Sequence, residues 1–255
     1  MAKSCQKDMF HLQKYKIILQ YVCENEAKMS IFAIMKEIKP IAFFHSPFTS
    51  KFGIPRQSGL VDGLRGRIVF EPEYNNVEAL RGLEDFDYVW LIWGFSANEG
   101  KKVSSTVRPP RLGGNERVGV FASRSPFRPN GLGLSSVKIA AVGSGWVDVT
   151  GADLMNGTPI YDVKPYVVYA DSHPYARSGF TDNRVWNSLD VSVPAEFECL
   201  FTSGELESLR GALSLDPRPH YHDDPVRVYG MPFAGRDVRF RVSDGTVVVV
   251  GVERL

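Results

Sequence analysis

From Ile38 onward the chain alternates short apolar runs with turn residues, a pattern of strands more than of helices. Lys39–Phe44 ends at Ser46-Pro47, and Arg67–Phe70 is a second short run. Asp87–Phe95 (DYVWLIWGF) is continuously apolar and aromatic, as expected for a strand buried on both faces. Val118–Ala122, Ser136–Val142, Trp146–Thr150 and Tyr166–Ala170 read as further strands, with Gly143-Ser144-Gly145 as a hairpin turn. Helical spacing stands out at two places. Asn75–Leu83 puts Val77, Leu80 and Leu83 on one face behind Pro72. Thr202-Ser-Gly-Glu205 is a capping box before Leu206, Leu209 and Leu213. The chain closes on Asp237–Val242 and Thr246–Val252, joined through Ser243-Asp244-Gly245.

Many short strands with Gly/Pro turns and little helix predict a mainly β protein, with a β-barrel N-terminal domain and a smaller α+β C-terminal domain. The expected organisation is an N-terminal extension over 1–35, the barrel over 36–175, a loose connection, and the second domain over 190–255.

Composition narrows the class. The chain has 255 residues, 44% of them hydrophobic and 12% aromatic, enough to bury a core and unlike a disordered chain. Cys5, Cys23 and Cys199 have neither disulfide-framework nor metal-ligand spacing, which points to a reducing, cytoplasmic setting. No apolar run approaches the ~18–20 residues that cross a bilayer, so no membrane partner is expected. The formal net charge of +1 hides an asymmetry: residues 71–100 carry seven acids and one base, whereas 101–130 carry seven bases and one acid. A patch of that kind attracts a polyanion even at an unremarkable pI. The competing reading is mutual neutralisation of the two segments.

The basic segment is also chemically unusual. Thr106–Leu134 interleaves Pro109, Pro110, Pro126 and Pro129 with Arg108, Arg111, Arg117, Arg124 and Arg128. Prolines stiffen the loop and the guanidinium fork grips phosphate or carboxylate, so the segment reads as an anion site. Pro55-Arg56-Gln57 is a second polar triplet, for which by itself a plain surface turn is the better account. Asp153-Leu154-Met155-Asn156 and Asp162-Val-Lys164 place carboxylates, an amide and an ammonium near strand ends, suited to ribose, an amino-acid moiety or a proton, or to ordinary Asx turns. No G-x-G-x-x-G follows a strand, which argues against a Rossmann cofactor site; P-loop and nucleophile-elbow patterns are absent as well. His220-Tyr-His222-Asp223-Asp224 reads as a polar loop, and no metal is expected.

PRQSGL (55–60), YNNVEALRGLEDFDYVW (74–90), TVRPPRLGGNERVGVFASRSPFRPNGLGLS (106–135), GTPIYDVKPY (157–166), LDPRPHY (215–221) and VRFRV (238–242) together resemble the TsaA-like family, over roughly residues 38–255. The resemblance implies a β-barrel that uses S-adenosylmethionine without a Rossmann domain, forms homodimers with the donor near the subunit interface, and N6-methylates threonylcarbamoyladenosine at position 37 in the anticodon loop of tRNA. Carried over by position, the donor site comprises Pro55, Arg56, Gln57, Ser96, Ala97, Arg124, Leu134, Asp153, Leu154, Met155 and Asn156. Ser96 stands where relatives often have histidine. A mechanism consistent with these residues takes Asp153 and Asp162 as candidate proton acceptors, with Arg124 in the catalytic group, and Arg108, Arg111, Arg117 and Arg128 as candidate RNA contacts. Arg124 and Arg128 suit the donor carboxylate, the threonyl carboxylate or a phosphate alike. Phe121, Phe127, Tyr161 and Tyr166 are candidate stacking platforms for unpaired bases, with a core position the better account of Phe121. A non-catalytic RNA-binding module and a small-molecule methyltransferase on the same barrel are the alternatives.

Overall fold

The computed structural model describes residues 37–109, 112, 116–182, 188–219 and 224–255. The expected extension over 1–35, Arg111 and the His220–Asp223 part of the histidine cluster lie outside the described residues.

In chain order the strands are β1 (Ala42–His45), β2 (Arg65–Phe70), β3 (Tyr88–Gly94), β4 (Thr106–Val107), β5 (Val118–Gly119), β6 (Leu132–Gly143), β7 (Trp146–Thr150), β8 (Thr158–Pro165), β9 (Asp190–Ser192), β10 (Tyr229–Phe233), β11 (Arg236–Ser243) and β12 (Thr246–Arg254). Strands β1-β2-β7-β6-β3-β8 close into an antiparallel barrel. Closure removes exposed strand edges and gives each strand one inward row. That row packs Ala42, Phe44, Ile68, Val89, Leu91, Val137, Val147, Val149 and Ile160 into one core.

A second core lies between the sheet β10-β11-β12-β9 and the helix Ser203–Ser214. The sequence-level capping box is formed there: Thr202 Oγ1 accepts from the Glu205 backbone N–H, and the Glu205 carboxylate accepts from the Thr202 backbone N–H. The β11–β12 hairpin turns on Asp244 and Gly245, both at positive φ, the geometry that Asp-Gly favours. Phe48, Val61 and Leu64, from the segment between β1 and β2, bury their side chains in this second core. That segment therefore runs from the barrel to the sheet–helix layer and back.

Several local expectations are corrected. Strand β3 is buried on alternate residues only: Val89, Leu91 and Trp93 face inward while Tyr88 is exposed. Its unbroken apolar pattern arises because Trp90 on the outer face packs against Tyr166 and donates its indole N–H to Asp171. Asn75–Leu83 is one helical turn, Val77–Leu80, followed by Gly82 at φ +83 and a short 3-10 turn. Val118–Ala122 is a strand only at its first two residues; Val120–Ala122 form a 3-10 turn. Tyr166–Ala170 is not a strand either. The ladder runs earlier, as β8, and Val168–Asp171 is a helical turn whose Asp171 carboxylate accepts from the Val167 N–H.

One glycine decides how the barrel end is packed. A Cβ on Gly133 would stand 2.3 Å from the Trp93 indole, so the ring lies flat on bare backbone. Gly133→Ala is expected to cost about 1–3 kcal/mol, the range of overpacked cores; urea titration of the variant against the parent chain measures it.

Candidate active site

The loop between β1 and β2 ties together segments far apart in sequence. The Ser46 N–H donates to Asn156 Oδ1 (3.2 Å), and the Asn156 N–H donates to the Phe48 carbonyl (2.8 Å). Lys51 Nζ donates to the Ala97 carbonyl (2.5 Å) and to Asn98 Oδ1, anchoring the 3-10 turn Ser96–Asn98. Burial and the neighbouring Lys101 ammonium both hold the Lys51 pKa below its usual value. Gly59 N–H donates to the Gly151 carbonyl (2.8 Å), and Arg124 Nη1 donates to Gln57 Oε1 (2.5 Å). Gln57, Ala97, Arg124 and Asn156 are thus bonded, directly or through this loop, into one arrangement.

Asp153 is its most buried charged group. Its carboxylate accepts from Ser135 Oγ at 2.6 Å, and the Ser135 hydroxyl oxygen in turn accepts the Trp93 Nε1–H at 3.0 Å. With one lone pair of Ser135 occupied by the indole, the hydroxyl proton is directed at Asp153. Burial pushes the Asp153 pKa above the ordinary carboxylate value; the Ser135 hydroxyl, backbone N–H groups of Asp153 and Ser58, and the Arg124 guanidinium oppose that rise.

Ser135 and Trp93 were not among the residues selected from sequence, nor were Lys51 and Ser58. Ser135 stands out once its register is known. It sits between Gly133 and Val137 on the inward row of β6 and is 1% exposed, a hydroxyl on a row that is otherwise apolar. A buried hydroxyl of that kind has a partner.

Asp162 does not join this group. It pairs across the ladder with Ile92, one residue out of phase with inward Leu91 and Val163, and its carboxylate bonds Lys164 Nζ (2.8 Å) and the Val163 N–H. The structure does not bring the two candidate acceptors together, because the carboxylates belong to opposite faces of the barrel wall. Leu134, 55% exposed, is also on the outer face, opposite Ile92. Leu154 is buried in the barrel core, Met155 is half-buried, and Pro55 is buried beside exposed Arg56.

The basic loop divides by role. Arg128 turns inward and donates to the Val120 and Ser123 carbonyls, fastening its own loop. Arg117 reaches Thr106 Oγ1 (3.4 Å), and Arg108 is exposed. Among the described residues, no ion pair joins a base of 101–130 to an acid of 71–100, so the neutralisation reading finds no contact. Phe121 is 79% exposed and so is not a core residue. The described residues contain no group of three or more metal-ligating side chains, and no described helix is long and apolar enough to cross a membrane.

A half-buried carboxylate, a guanidinium, an amide and backbone groups converging at a barrel mouth match the polar set of S-adenosylmethionine: sulfonium and ammonium cations, ribose hydroxyls and a carboxylate. The comparisons with known proteins agree with that chemistry. The family model of the tRNA-methyltransferase O N-terminal domain matches residues 43–172, and that of the TrmO C-terminal domain matches residues 194–255. The Escherichia coli K12 tRNA (adenine(37)-N6)-methyltransferase is 36% identical over 229 residues, covering 85% of this chain and 97% of that protein. The RcsF protein of Pseudomonas aeruginosa, which carries the description of an S-adenosylmethionine-dependent methyltransferase, is 39% identical over 80% of this chain and 91% of its own length. A crystal structure of TrmO from Pseudomonas aeruginosa superposes with a TM-score of 0.72 at 31% identity, covering 86% of this chain and 99% of that one. With both parts matched in order and one fold shared over nearly the whole of a solved relative, the chain belongs to the tRNA-methyltransferase O (TrmO) family.

Proposed function

We propose that the chain transfers the methyl group of S-adenosylmethionine to N6 of adenine at position 37 of tRNA, with threonylcarbamoyladenosine as the acceptor. The observation that carries the reading is the half-buried Asp153 carboxylate, bonded to Ser135 and flanked by Arg124, at the end of a closed barrel. Family membership and the names of the relatives support the methyl donor and the tRNA.

When bound, the donor supplies an electrophilic methyl carbon and a thioether leaving group. The protein's task is to align the acceptor nitrogen, exclude water and remove one proton. An N6 nitrogen conjugated to the purine ring and a carbamoyl group is a poor nucleophile, and an acceptor at its N–H raises its reactivity. Asp153 fills that role: Ser135 and backbone N–H groups occupy part of its lone-pair capacity, and the remainder accepts the N6–H and then its proton. The Asp153 carboxylate would thereby take up the one proton that methylation of N6 releases. Arg124 uses one N–H on Gln57 and keeps the rest of its fork for a carboxylate. Exposed Arg108 and Arg117 suit tRNA phosphates. A homodimer in the cytoplasm completes the reading: the outward Leu134 sits on a barrel face that a second copy would cover, and tRNA is the substrate.

Mass analysis of tRNA nucleosides from cells lacking the gene tests the reaction; loss of the N6-methylated nucleoside is expected, and an unchanged profile rejects it. Arg124→Ala is expected to lower kcat/KM ten- to a hundredfold, the scale of a charge-assisted hydrogen bond, with the thermal melt unchanged. A flat calorimetric titration of the parent chain with S-adenosylmethionine, alongside salt-dependent RNA binding, would favour the non-catalytic alternative.

The pH dependence follows from Asp153. Its folded-state pKa is raised, so methyl transfer falls as pH drops through that raised value. Ser135→Ala removes a donor to the ionised form and is expected to move the acid limb of the rate profile to higher pH. Stability has the opposite sign. The raised pKa favours the protonated form on folding, so stability is highest below the unfolded carboxylate value and declines as pH rises through the folded value. Asp153→Asn is therefore expected to melt at a higher temperature than the parent at pH 7, with that advantage vanishing near pH ~4.

A further inference from the structure

The β3–β8 ladder contains one irregularity, and it lies beside the candidate site. Pairing is regular from Val89 with Pro165 to Ile92 with Asp162, then steps to Trp93 with Ile160. Tyr161 is the extra residue of this bulge. A bulge re-aims a side chain that the regular pleat would send inward or outward. Here Ile160 is in the barrel core, Asp162 bonds Lys164 outside, and the Tyr161 ring is laid across Gly94. A Cβ on Gly94 would stand 2.9 Å from both Tyr161 Cε2 and Oη, so the ring rests on bare backbone.

Tyr161 forms one wall of a cavity of about 210 Å³ between the end of β3 and the turns at 96–101 and 126–131. Phe127, 39% exposed, forms another wall. Its turn is fixed: the Ser104 N–H donates to the Phe127 carbonyl, and Arg128 is turned onto the Val120 and Ser123 carbonyls. Asn98 and Asn130 also line this space. Lys51 occupies Asn98 Oδ1, which leaves the Asn98 NH₂ as a donor. The lining also carries the Glu99 carboxylate, the Lys101 ammonium and the Arg128 guanidinium, the last bonded to backbone carbonyls. Charges of both signs thus stand at its rim. Aromatic walls with amide donors and acceptors at the edge suit a flat, neutral, polar ring.

Pro55, Gln57, Arg124 and Asp153 do not line this space, whereas Ser96 does. The cavity thus adjoins the proposed donor site through one turn without being the same pocket. Tyr166, another candidate platform, packs on Tyr88 and Trp90 at the outer face and is not part of the lining.

We propose that this cavity takes an unstacked base of the RNA loop, with the bulged Tyr161 as the platform on which the base stacks. The proposal rests on the tRNA reading above. The adenine of the donor has the same ring chemistry, so the test separates the two sources.

Full-length protein carrying Tyr161→Ala, Tyr161→Phe or Phe127→Ala is titrated with S-adenosylmethionine by calorimetry and with an anticodon stem-loop RNA by fluorescence anisotropy. Tyr161→Ala is expected to weaken RNA binding roughly tenfold, the scale of one lost stacking contact, and to leave donor affinity within about twofold. Tyr161→Phe keeps the ring and is expected to bind RNA like the parent. Phe127 sits on an exposed turn, so Phe127→Ala repeats the test even if Tyr161→Ala unfolds. Weakened donor binding with RNA affinity unchanged would assign the cavity to the donor and overturn the proposal, as would unchanged affinity for both. A parent chain that binds RNA through Tyr161 but binds no donor would refute methyl transfer while leaving the base pocket standing.

Discussion

A charged carboxylate partly withdrawn from water at the end of a barrel is costly unless fixed donors surround it. Asp153 is in that position, and much of the surrounding architecture serves it. The Ser135 hydroxyl comes from β6, its orientation is set by the Trp93 indole on β3, and backbone N–H groups come from the 46–59 loop and from Asp153 itself. Trp93 lies where it does because Gly133 has no side chain. Removing any of these groups leaves a half-buried charge with one partner fewer, an effect larger than the small net value of an average hydrogen bond.

The same network explains why the segment between β1 and β2 leaves the barrel. It carries Phe48, Val61 and Leu64 into the second core, yet it also carries Lys51, Gln57 and Ser58 to the barrel mouth. Packing at one end fixes hydrogen-bond geometry at the other. The small sheet–helix layer therefore bears on the site through this shared loop, whatever else it contacts. Positioning by an anchored loop costs little ordering entropy on ligand binding, since the loop is already held.

Much of this was legible from residue order and the rest was not, for identifiable reasons. The capping box at Thr202–Glu205 and the Asp244-Gly245 turn depend on local chemistry, so they read directly. The basic loop, PRQ and the Asp153–Asn156 stretch could be picked out as polar or Gly/Pro-rich segments, and pairing through one loop brings several of them together. Tertiary context defeated the remainder. Asn75–Leu83 has helical spacing, but Gly82 at positive φ ends the turn early. Strand β8 was hidden because Pro159 and Pro165 interrupt its apolar pattern, and Pro at strand ends or bulges is tolerated. Ser135 was passed over because its significance is its inward register, which only the pairing with Leu91 reveals.

Register also explains how a barrel can serve two purposes at one end. In a regular pleat, neighbouring residues on β8 alternate between core and solvent, and none is left to face the rim sideways. The step between Ile92 and Trp93 changes that: Ile160 continues the core, Asp162 continues the outer surface, and Tyr161 is released onto Gly94. The inward row of β6 meanwhile delivers Ser135 to Asp153. A carboxylate support and an aromatic wall thus come from strands flanking β3, one by pleat alternation and the other by its interruption. Both depend on a glycine that lets a ring lie against backbone, Gly133 under Trp93 and Gly94 under Tyr161. A helix-and-strand nucleotide fold places its ligand at helix N-termini; here the inward pleat and one defect in it do the corresponding work of aiming side chains.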